Sequence, residues 1–361
     1  MKWGPMPPCV LVGHRERVDA AYDVGVSSDQ APRLDYVELA RALQAELPLH
    51  PLAGSQWFAP MCRAERRVGL AFTMAAWVAW VAERYSVIVS VSEGEGIPLG
   101  AAMRAMGHRT PHVVIGHRLS SRLQRHTWRL TGIQHTFDAV VCVGRAQADY
   151  ANSPSGMGIR SAHFVYDKVD EHFFRPLGLQ EDGYILAVGQ EQRDYATLVR
   201  AATAAGKPLV VVASSPWATC KIVPQEAAAV KVLSRISAVR LRELYARARV
   251  VVVPVNDVDY AAGVNGLLEG MAMGRPVVSS RTSGLAGYVE DGITGLLVPP
   301  TDPGALRAVI ERIWDDPGRR ASLGDAGRAA VEANMGFDRY VGRVAQIATD
   351  VQTAGTLDHA G

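Results

Sequence analysis

The sequence is poor in cysteine, and its cysteines are scattered. The four of them, Cys9, Cys62, Cys142 and Cys220, form no C-x-x-C pair and lie close to no pair of histidines. This pattern argues against a disulfide framework and against a structural zinc site, and it fits a reducing compartment. We therefore expect a cytoplasmic protein that holds no metal.

The sequence also lacks a strong charge of either sign. Lysine and arginine number 38 against 36 aspartate and glutamate residues, a net charge of +2. The summed charge gives no reason to expect a nucleic-acid partner.

Long apolar runs are missing as well. The most apolar helical stretch, "VGLAFTMAAWVAWVAERY", has about 15 residues before Glu83 and Arg84, whereas a membrane span needs about 20. Proline and glycine interrupt the amino-terminal "MKWGPMPPCVLVG", so we expect no secretory segment there. These features predict a soluble protein.

What the sequence does contain is a repeated pattern of short apolar runs and helical stretches. The runs are continuous rather than alternating, as in parallel strands that helices cover on both faces. A chain of 361 residues is long for one core, so we expect an α/β protein of two doubly wound domains. The runs are "CVLV", "SVIVSV", "HVVI", "DAVVCV", "HFVY", "YILAVG", "PLVVVA", "VKVL", "RVVVVP", "PVVSS" and "GLLVPP".

A polar segment at 167–183 marks the expected break between the domains. We predict a first domain at 1–172, a second at 173–335 and a last helix at 336–361 that packs back on the first domain. Ligands of such sheets bind outside the carboxyl ends of the strands, so the residues after each strand are the candidates for a site.

One candidate is "GVNGLLEGMAMGRPVV", where a turn containing Gly and Asn leads into a helix. Free N–H groups at the start of that helix, together with its dipole, favour an anion. Glu269 can accept hydrogen bonds from vicinal hydroxyls such as those of a ribose. A glutamate stabilised by the helix dipole alone, worth about 0.3–1 kcal/mol, is an equally good interpretation. The residues of this turn that we predict to contact the ligand are Gly263, Val264, Asn265 and Gly266.

A second candidate is the loop after "YILAVG". Arg193 in this loop can clamp a phosphate with two hydrogen bonds. The alternative is a surface arginine paired with Asp194 or Glu191, which the position alone slightly favours. The residues near here that we predict to contact the ligand are Gly189, Gln190, Arg193, Asp194 and, after the next strand, Ser214.

At these residues the chain resembles the GT-B fold glycosyltransferases of the retaining, nucleotide-sugar-dependent kind (glycosyltransferase family 4). The stretches that carry the likeness include "VKVLSRISAVRLRELYARARVVVVPV" and "GLLEGMAMGRPVVSSRTSGLAGYVEDGITGLLVPPTDPGALRAVI". The resemblance implies two Rossmann-like domains facing across a cleft, with the donor on the second and the acceptor on the first. It implies transfer of a sugar from a nucleotide diphosphate to a small-molecule acceptor, without a metal and without a cofactor beyond that co-substrate.

The resemblance also assigns roles to residues, with departures. Glu269 matches the second glutamate of the family's pair, which would hold the ribose. The first, which usually holds sugar hydroxyls, falls eight positions earlier on Ala261. Substitutes are Asp257, Asp259 or Tyr260, or the backbone at 263–266. These unusual residues on the sugar side suggest a non-standard donor, as in specialised natural-product biosynthesis.

The family's basic pair falls on Gln190 and Tyr195, which makes Arg193 the candidate replacement. With His117, which resembles the family's histidine in the first domain, Arg193 and Glu269 form the predicted catalytic set. A structural histidine is an equal alternative for His117 on position alone.

Two further features belong to the first domain. Glu93 and Glu95 can meet a polar acceptor together with His117, or they can cap the helix that follows. Arginines at helical spacing after His117 raise the alternative of contact with a membrane surface, which the balanced charge does not favour.

A different class of function also fits the departures. With Ala261 and Gln190 in place of the usual residues, the chain can be a catalytically degenerate GT-B protein. Such a protein binds a nucleotide, a sugar or a protein partner without transfer, since fold never settles function by itself.

Overall fold

The structure, a computed structural model, describes residues 6–13, 20–50, 58–159, 161–213 and 229–358. The chain divides into two compact units. The first consists of Met1–Ala21, Leu34–Val165 and Tyr340–Gly361, and the second of Tyr22–Arg33 and Tyr166–Arg339. The main division thus falls at 165/166, seven residues before the predicted 172/173. The predicted two-domain α/β architecture is confirmed.

The first unit is built on a parallel sheet with the strand order β1-β2-β3-β4-β5. Each of β1 to β4 is buried along its whole length, as its continuous apolar sequence predicts. The strands are β1 (Cys9–Leu11), β2 (Ile88–Ser90), β3 (His112–Gly116), β4 (Ala139–Cys142) and β5 (Ala162–Phe164).

Helices connect these strands along the chain, and all but the first, which lies mostly in Tyr22–Arg33 of the second unit, belong to the first unit. They are α1 (Ala20–Ser27), α2 (Asp35–Leu43), α3 (Phe58–Val68), α4 (Phe72–Trp80), α5 (Glu93–Met106), α6 (Arg122–Thr131) and α7 (Arg145–Asn152). The last helix of the chain, α13 (Phe337–Asp358), begins in the second unit and continues in the first. Within the described ranges, no helix is both long and apolar enough to cross a membrane.

The second unit has a parallel sheet with the order β11-β10-β9-β6-β7-β8. Its strands are β6 (Ile185–Val188), β7 (Leu209–Val212), β8 (Val230–Leu233), β9 (Val250–Val253), β10 (Val277–Ser280) and β11 (Leu296–Val298). Ile185 pairs with Leu209 on one side and with Val250 on the other. The direction of winding therefore reverses between β6 and β9, and their carboxyl ends form the topological switch point of the sheet.

In the part of the second unit that the structure describes, five α-helices flank this sheet. They are α8 (Tyr195–Ala204), α9 (Ala238–Arg247), α10 (Val264–Ala272), α11 (Pro303–Trp314) and α12 (Pro317–Ala330). One core joins strand residues such as Ile185 and Val252 to helix residues such as Leu198, Ile310 and Leu323. All eleven apolar runs named from the sequence are strands in the structure.

A segment from the first part of the sequence, Tyr22–Arg33, belongs to the second unit. Asp29 accepts hydrogen bonds from Arg175 at 2.9 Å and from Arg242 at 2.7 Å. These two hydrogen bonds lower the pKa of Asp29 to about 2. Ion pairs of Asp29 with these two arginines therefore hold the segment against the rest of the second unit. Residues 14–19, which precede it in the sequence, lie outside the described residues.

Arginines close the carboxyl ends of helices in the second unit. Arg328 donates to the carbonyl oxygen of Ala272, the last residue of α10. Arg275 donates to the carbonyl oxygen of Ala246 in the last turn of α9, and Glu181 lies 3.1 Å from its guanidinium. Positive charge at the carboxyl end of a helix offsets the helix dipole and satisfies carbonyl groups that have no partner inside the helix.

The close approach of α12 to the turn after α10 gives a first prediction. A Cβ atom at Gly324 would lie 2.1 Å from the carbonyl oxygen of Gly274. Gly324→Ala should therefore force the two segments apart and lower the free energy of unfolding by about 1–3 kcal/mol. Gly318→Ala in the same helix is the control, because its Cβ would be 3.6 Å from its nearest neighbour. Urea midpoints that are equal for the two variants would contradict the packing described here.

Candidate nucleotide-sugar site

The switch point of the second sheet brings two loops together, 189–194 after β6 and 254–263 after β9. The N–H of Asp194 donates to the carbonyl oxygen of Pro254 at 2.9 Å, and the N–H of Asn256 donates to that of Gln192 at 2.9 Å. Arg193 and Val255 form an antiparallel bridge. The loops therefore hold each other in place at the edge where ligands of such sheets bind.

Arg193 lies under these loops with only 8% of its surface exposed. Its Nε donates to the carbonyl oxygen of Val188 at 3.0 Å, and its Nη1 donates to that of Glu191 at 2.8 Å. Burial lowers the pKa of the Arg193 guanidinium, although an arginine in a protein stays protonated. Glu191 thus contacts the guanidinium through its main-chain oxygen, and its charge acts on Arg193 as well.

Glycines make room for this guanidinium. Gly189 has a φ of 100°, and a Cβ there would lie 2.5 Å from Nη2 of Arg193. Gly263 has a φ of 93°, and its Cβ would lie 3.1 Å from Nη1. A side chain at either position would meet the arginine and would also strain the backbone.

The amino terminus of α10 begins directly on this arrangement. Gly263 is its capping residue, and no described side chain caps the helix. A Cβ at Gly266 would lie 3.4 Å from the carbonyl oxygen of Val188, so the first turn is pressed against the end of β6. Asn265 is exposed in that turn. The amide groups and dipole of such a helix start attract an anion.

Glu269 lies in the second turn of α10 and is half-buried. Its Oε2 accepts a hydrogen bond from the hydroxyl of Tyr245 at 2.8 Å. Burial raises the pKa of Glu269 to about 7, against the hydrogen bond from Tyr245 and the charge of Arg193, which both lower it. A carboxylate with one oxygen held and the other unengaged by the described residues is suited to accept a hydrogen bond from a ligand.

The position of the family's first glutamate is occupied by a buried Ala261, which has no side chain to accept a hydrogen bond. The preceding residue, Tyr260, is packed against the turn at Ser283–Leu285, where a Cβ at Gly284 would lie 1.9 Å from its carbonyl oxygen. Asp257 is exposed and Asp259 is half-buried. A sugar-binding role for any of them stays a prediction.

Other residues singled out from the sequence have local partners. Asp194 caps α8, because its carboxylate accepts from the N–H of Thr197 at 3.0 Å. Tyr195 donates its hydroxyl to the carbonyl oxygen of Gly189, at the position where the family has a lysine. Gln190 is half-buried beside them. Ser214 lies outside the described residues.

Tyr245 could not be singled out from the sequence; it lies on the buried face of α9 and is 0% exposed. In the sequence it is one apolar-face residue of "LRELYARA", and helical spacing predicts only that it packs inward. A buried tyrosine needs a partner for its hydroxyl. From the sequence one could infer that the hydroxyl has a partner. One could not infer which residue it is, because that depends on how α9 packs against α10.

In the first unit, the two glutamates at the start of α5 hold loops. Glu93 is buried, and its carboxylate accepts from the N–H of His117 at 3.0 Å and from that of Arg118 at 2.7 Å. Glu95 accepts from the N–H of Gly13 at 2.9 Å, in the loop after β1. Ser92, rather than either glutamate, caps α5 by accepting from Gly94 N–H.

His117 is half-buried directly after β3, as predicted, and its Nε2 lies 3.3 Å from the carbonyl oxygen of Val91. The structure thus groups Glu93 with His117 and Glu95 with the loop after β1. Contact of these residues with an acceptor stays a prediction.

Comparison with known proteins bears on this geometry. The profile of the family described as "Glycosyl transferases group 1" matches residues 185–316, the part of the second unit from β6 to the end of α11. The chain has the GT-B fold, and its second unit is similar to the group 1 glycosyltransferase domain over the matched residues.

Two relatives of this domain are called D-inositol 3-phosphate glycosyltransferases. One, from Catenulispora acidiphila, is 27% identical over 73% of this chain and 69% of its own length. The other, from Thermomonospora curvata, is 34% identical over 34% of this chain and only 27% of its own length. The chain spans about a quarter of the length of the Thermomonospora relative, and other relatives of the same name are also matched over less than two thirds of their length.

Solved structures show the same fold over the whole chain. Sucrose-phosphate synthase from Thermosynechococcus elongatus aligns with a TM-score of 0.68 at 19% identity, covering 97% of this chain and 100% of its own. HepE from Anabaena, solved in complex with UDP-glucose, aligns with a TM-score of 0.63 at 14% identity, covering 98% and 100%. At these identities the likeness concerns the fold.

The two main-chain contacts of Arg193 give a second prediction. Arg193→Lys keeps the charge, but a single ammonium group cannot reach the two carbonyl oxygens as the guanidinium does. We expect a loss of about 1–3 kcal/mol in the free energy of unfolding. Arg200→Lys on the exposed face of α8 is the matched control and should leave the unfolding temperature unchanged. Equal unfolding temperatures for both variants would show that the buried contacts of Arg193 contribute nothing.

Proposed function

We propose that this protein transfers a sugar from a nucleotide-diphosphate donor to a small-molecule acceptor. The observation that carries the proposal is Glu269, a half-buried carboxylate on α10 with one oxygen bound to Tyr245. In the proposal its other oxygen accepts from the ribose hydroxyls. The first turn of α10, one turn earlier along the same helix, takes the diphosphate.

The chemistry follows from where charge develops. A hydroxyl of the acceptor forms a bond to the anomeric carbon as the bond from that carbon to the diphosphate oxygen breaks, and the proton of that hydroxyl passes to the departing diphosphate. Negative charge grows on the leaving diphosphate, and fixed donors at that place lower the barrier. The α10 amides and the charge of Arg193 supply them in this proposal, with no metal required. Retention at the anomeric carbon is the outcome we propose from the family resemblance.

The names of relatives support the two substrate classes. The Anabaena protein was solved with UDP-glucose, which is a nucleotide-diphosphate sugar. The Catenulispora relative is named for a phosphorylated inositol, which is a small polyhydroxy acceptor. By analogy we propose a polar small molecule as the acceptor, with Glu93, Glu95 and His117 in the first unit as its predicted contacts.

One observation favours a second function. Ala261 offers no carboxylate to the sugar, so a protein that binds a nucleotide without transferring a sugar is also consistent with the site. Turnover separates the two. Incubation with a panel of nucleotide sugars and polyol acceptors, followed by detection of released nucleoside diphosphate, should give acceptor-dependent release. Binding of a nucleotide sugar without release with any acceptor would favour the degenerate protein.

Nucleotide binding gives the third prediction. Nucleoside diphosphates should raise the unfolding temperature of the protein, because a ligand that binds only the folded state stabilises it. Glu269→Ala should weaken that binding by about 10–100-fold, the loss of one or two hydrogen bonds to a charged group. The matched control is Glu243→Ala, which removes an exposed glutamate of α9 that pairs with Arg240. Titration calorimetry with UDP and GDP gives the affinities, and equal affinities for the two variants would refute the ribose role.

A further inference from the structure

Tyr245 lies in the interior of the second unit, behind the proposed nucleotide site, and contacts that site through Glu269. Its side chain is completely buried, and its hydroxyl donates to Oε2 of Glu269 at 2.8 Å. The hydroxyl also lies 3.4 Å from the carbonyl oxygen of Gly266, one turn earlier in α10. Phe174 packs edge-on against the tyrosine ring at 6.1 Å. Packing against Phe174 therefore restrains the ring, and the hydroxyl is directed at α10, the helix that carries the candidate site.

We propose that Tyr245 is a positioning residue: it holds one oxygen of Glu269 so that the other faces the ribose of a bound nucleotide. This inference rests on the proposed function, since it assigns Tyr245 a role in nucleotide binding. No side chain in the catalytic set predicted from the sequence performs this task.

The geometry favours separate roles for the two oxygens of Glu269, one bound to Tyr245 and the other available to a ligand. A free glutamate side chain can turn about its terminal bond, whereas a hydrogen bond to a rigid, buried phenol fixes its orientation. A carboxylate has about four acceptor positions, so holding one oxygen leaves the second available. Glu269 is half-buried, and its second oxygen accepts no hydrogen bond from the described residues.

The charges around Glu269 set its response to pH. The groups that face it are Tyr245 from α9 and Arg193 from the loop after β6, and Tyr195 acts on both of these. Burial raises the pKa of Glu269 to about 7, and the Tyr245 hydroxyl and the Arg193 charge pull it down. Since the ionised form accepts hydroxyl hydrogens best, affinity for a nucleotide should rise as pH increases through that value.

Removing the hydroxyl changes this pH dependence in a defined direction. Tyr245→Phe takes away a hydrogen bond that stabilises the charged form, so the pKa of Glu269 rises further. The free energy of a hydrogen bond to a charged group is about as large as the free energy that corresponds to a shift of one pKa unit. The midpoint of the affinity-against-pH curve should therefore move up by about one unit. Affinity at pH 7 should fall roughly 3–10-fold and recover in part above pH 8.5 or so, and the loss that remains reflects the carboxylate that is no longer oriented.

The experiment measures the dissociation constant of the full chain from about pH 5.5 to 9 by titration calorimetry. The ligand is UDP-glucose or GDP-mannose, whichever binds more tightly, because the diphosphate of a nucleotide sugar does not titrate in this range. Wild type should show a midpoint near 7, as the pKa of Glu269 predicts. Glu269→Gln should bind weakly with no such midpoint, and Tyr245→Phe should shift it upward.

Tyr184→Phe is the matched control. Tyr184 is another buried tyrosine of the same unit, and its hydroxyl donates to the carbonyl oxygen of Leu244 at 2.7 Å. Its loss should lower stability and leave the midpoint where it is in wild type.

The outcomes separate the two levels of the proposal. Binding of nucleotide sugar with the same midpoint in Tyr245→Phe and wild type would overturn the positioning role alone. A uniform loss of affinity at every pH would also overturn it, since packing damage has that effect. If neither ligand binds the wild-type protein, the proposed function fails and this inference fails with it.

Discussion

The buried guanidinium of Arg193 is the constraint on which the rest of the candidate site depends. It ties the end of β6 to the loop that follows, through the carbonyl oxygens of Val188 and Glu191. The start of α10 then packs over it, which is possible because Gly189 and Gly263 have no side chain there. The same charge faces Glu269 and opposes the effect of burial on that carboxylate.

The fold could be predicted largely from the sequence, because its signal is local and repeated. Continuous runs such as "VVVV" at β9 and "PVVSS" at β10 are typical of strands buried on both faces, and all eleven are strands. The order of the strands could not be predicted in this way. That β6 lies between β9 and β7 depends on long-range packing, and this order places the switch point at Arg193 and α10.

The site was predicted less completely, for reasons that differ between residues. Glu269 and Arg193 could be found because each follows a strand in a recognisable motif. The hydrogen-bond partners of these two residues could not be predicted. The sequence does not show that Arg193 turns inward to main-chain oxygens, and it does not show that Tyr245 reaches Glu269 from another helix. Contact of Glu93 and Glu95 with an acceptor stays a prediction; in the structure both accept hydrogen bonds from loop amides.

A crystal structure with a nucleoside diphosphate tests the central claim most directly. The account predicts ribose hydroxyls within hydrogen-bond distance of the Glu269 oxygen that Tyr245 does not hold, with the diphosphate at the first turn of α10. A nucleotide bound elsewhere, or one whose ribose makes no contact with Glu269, would contradict it.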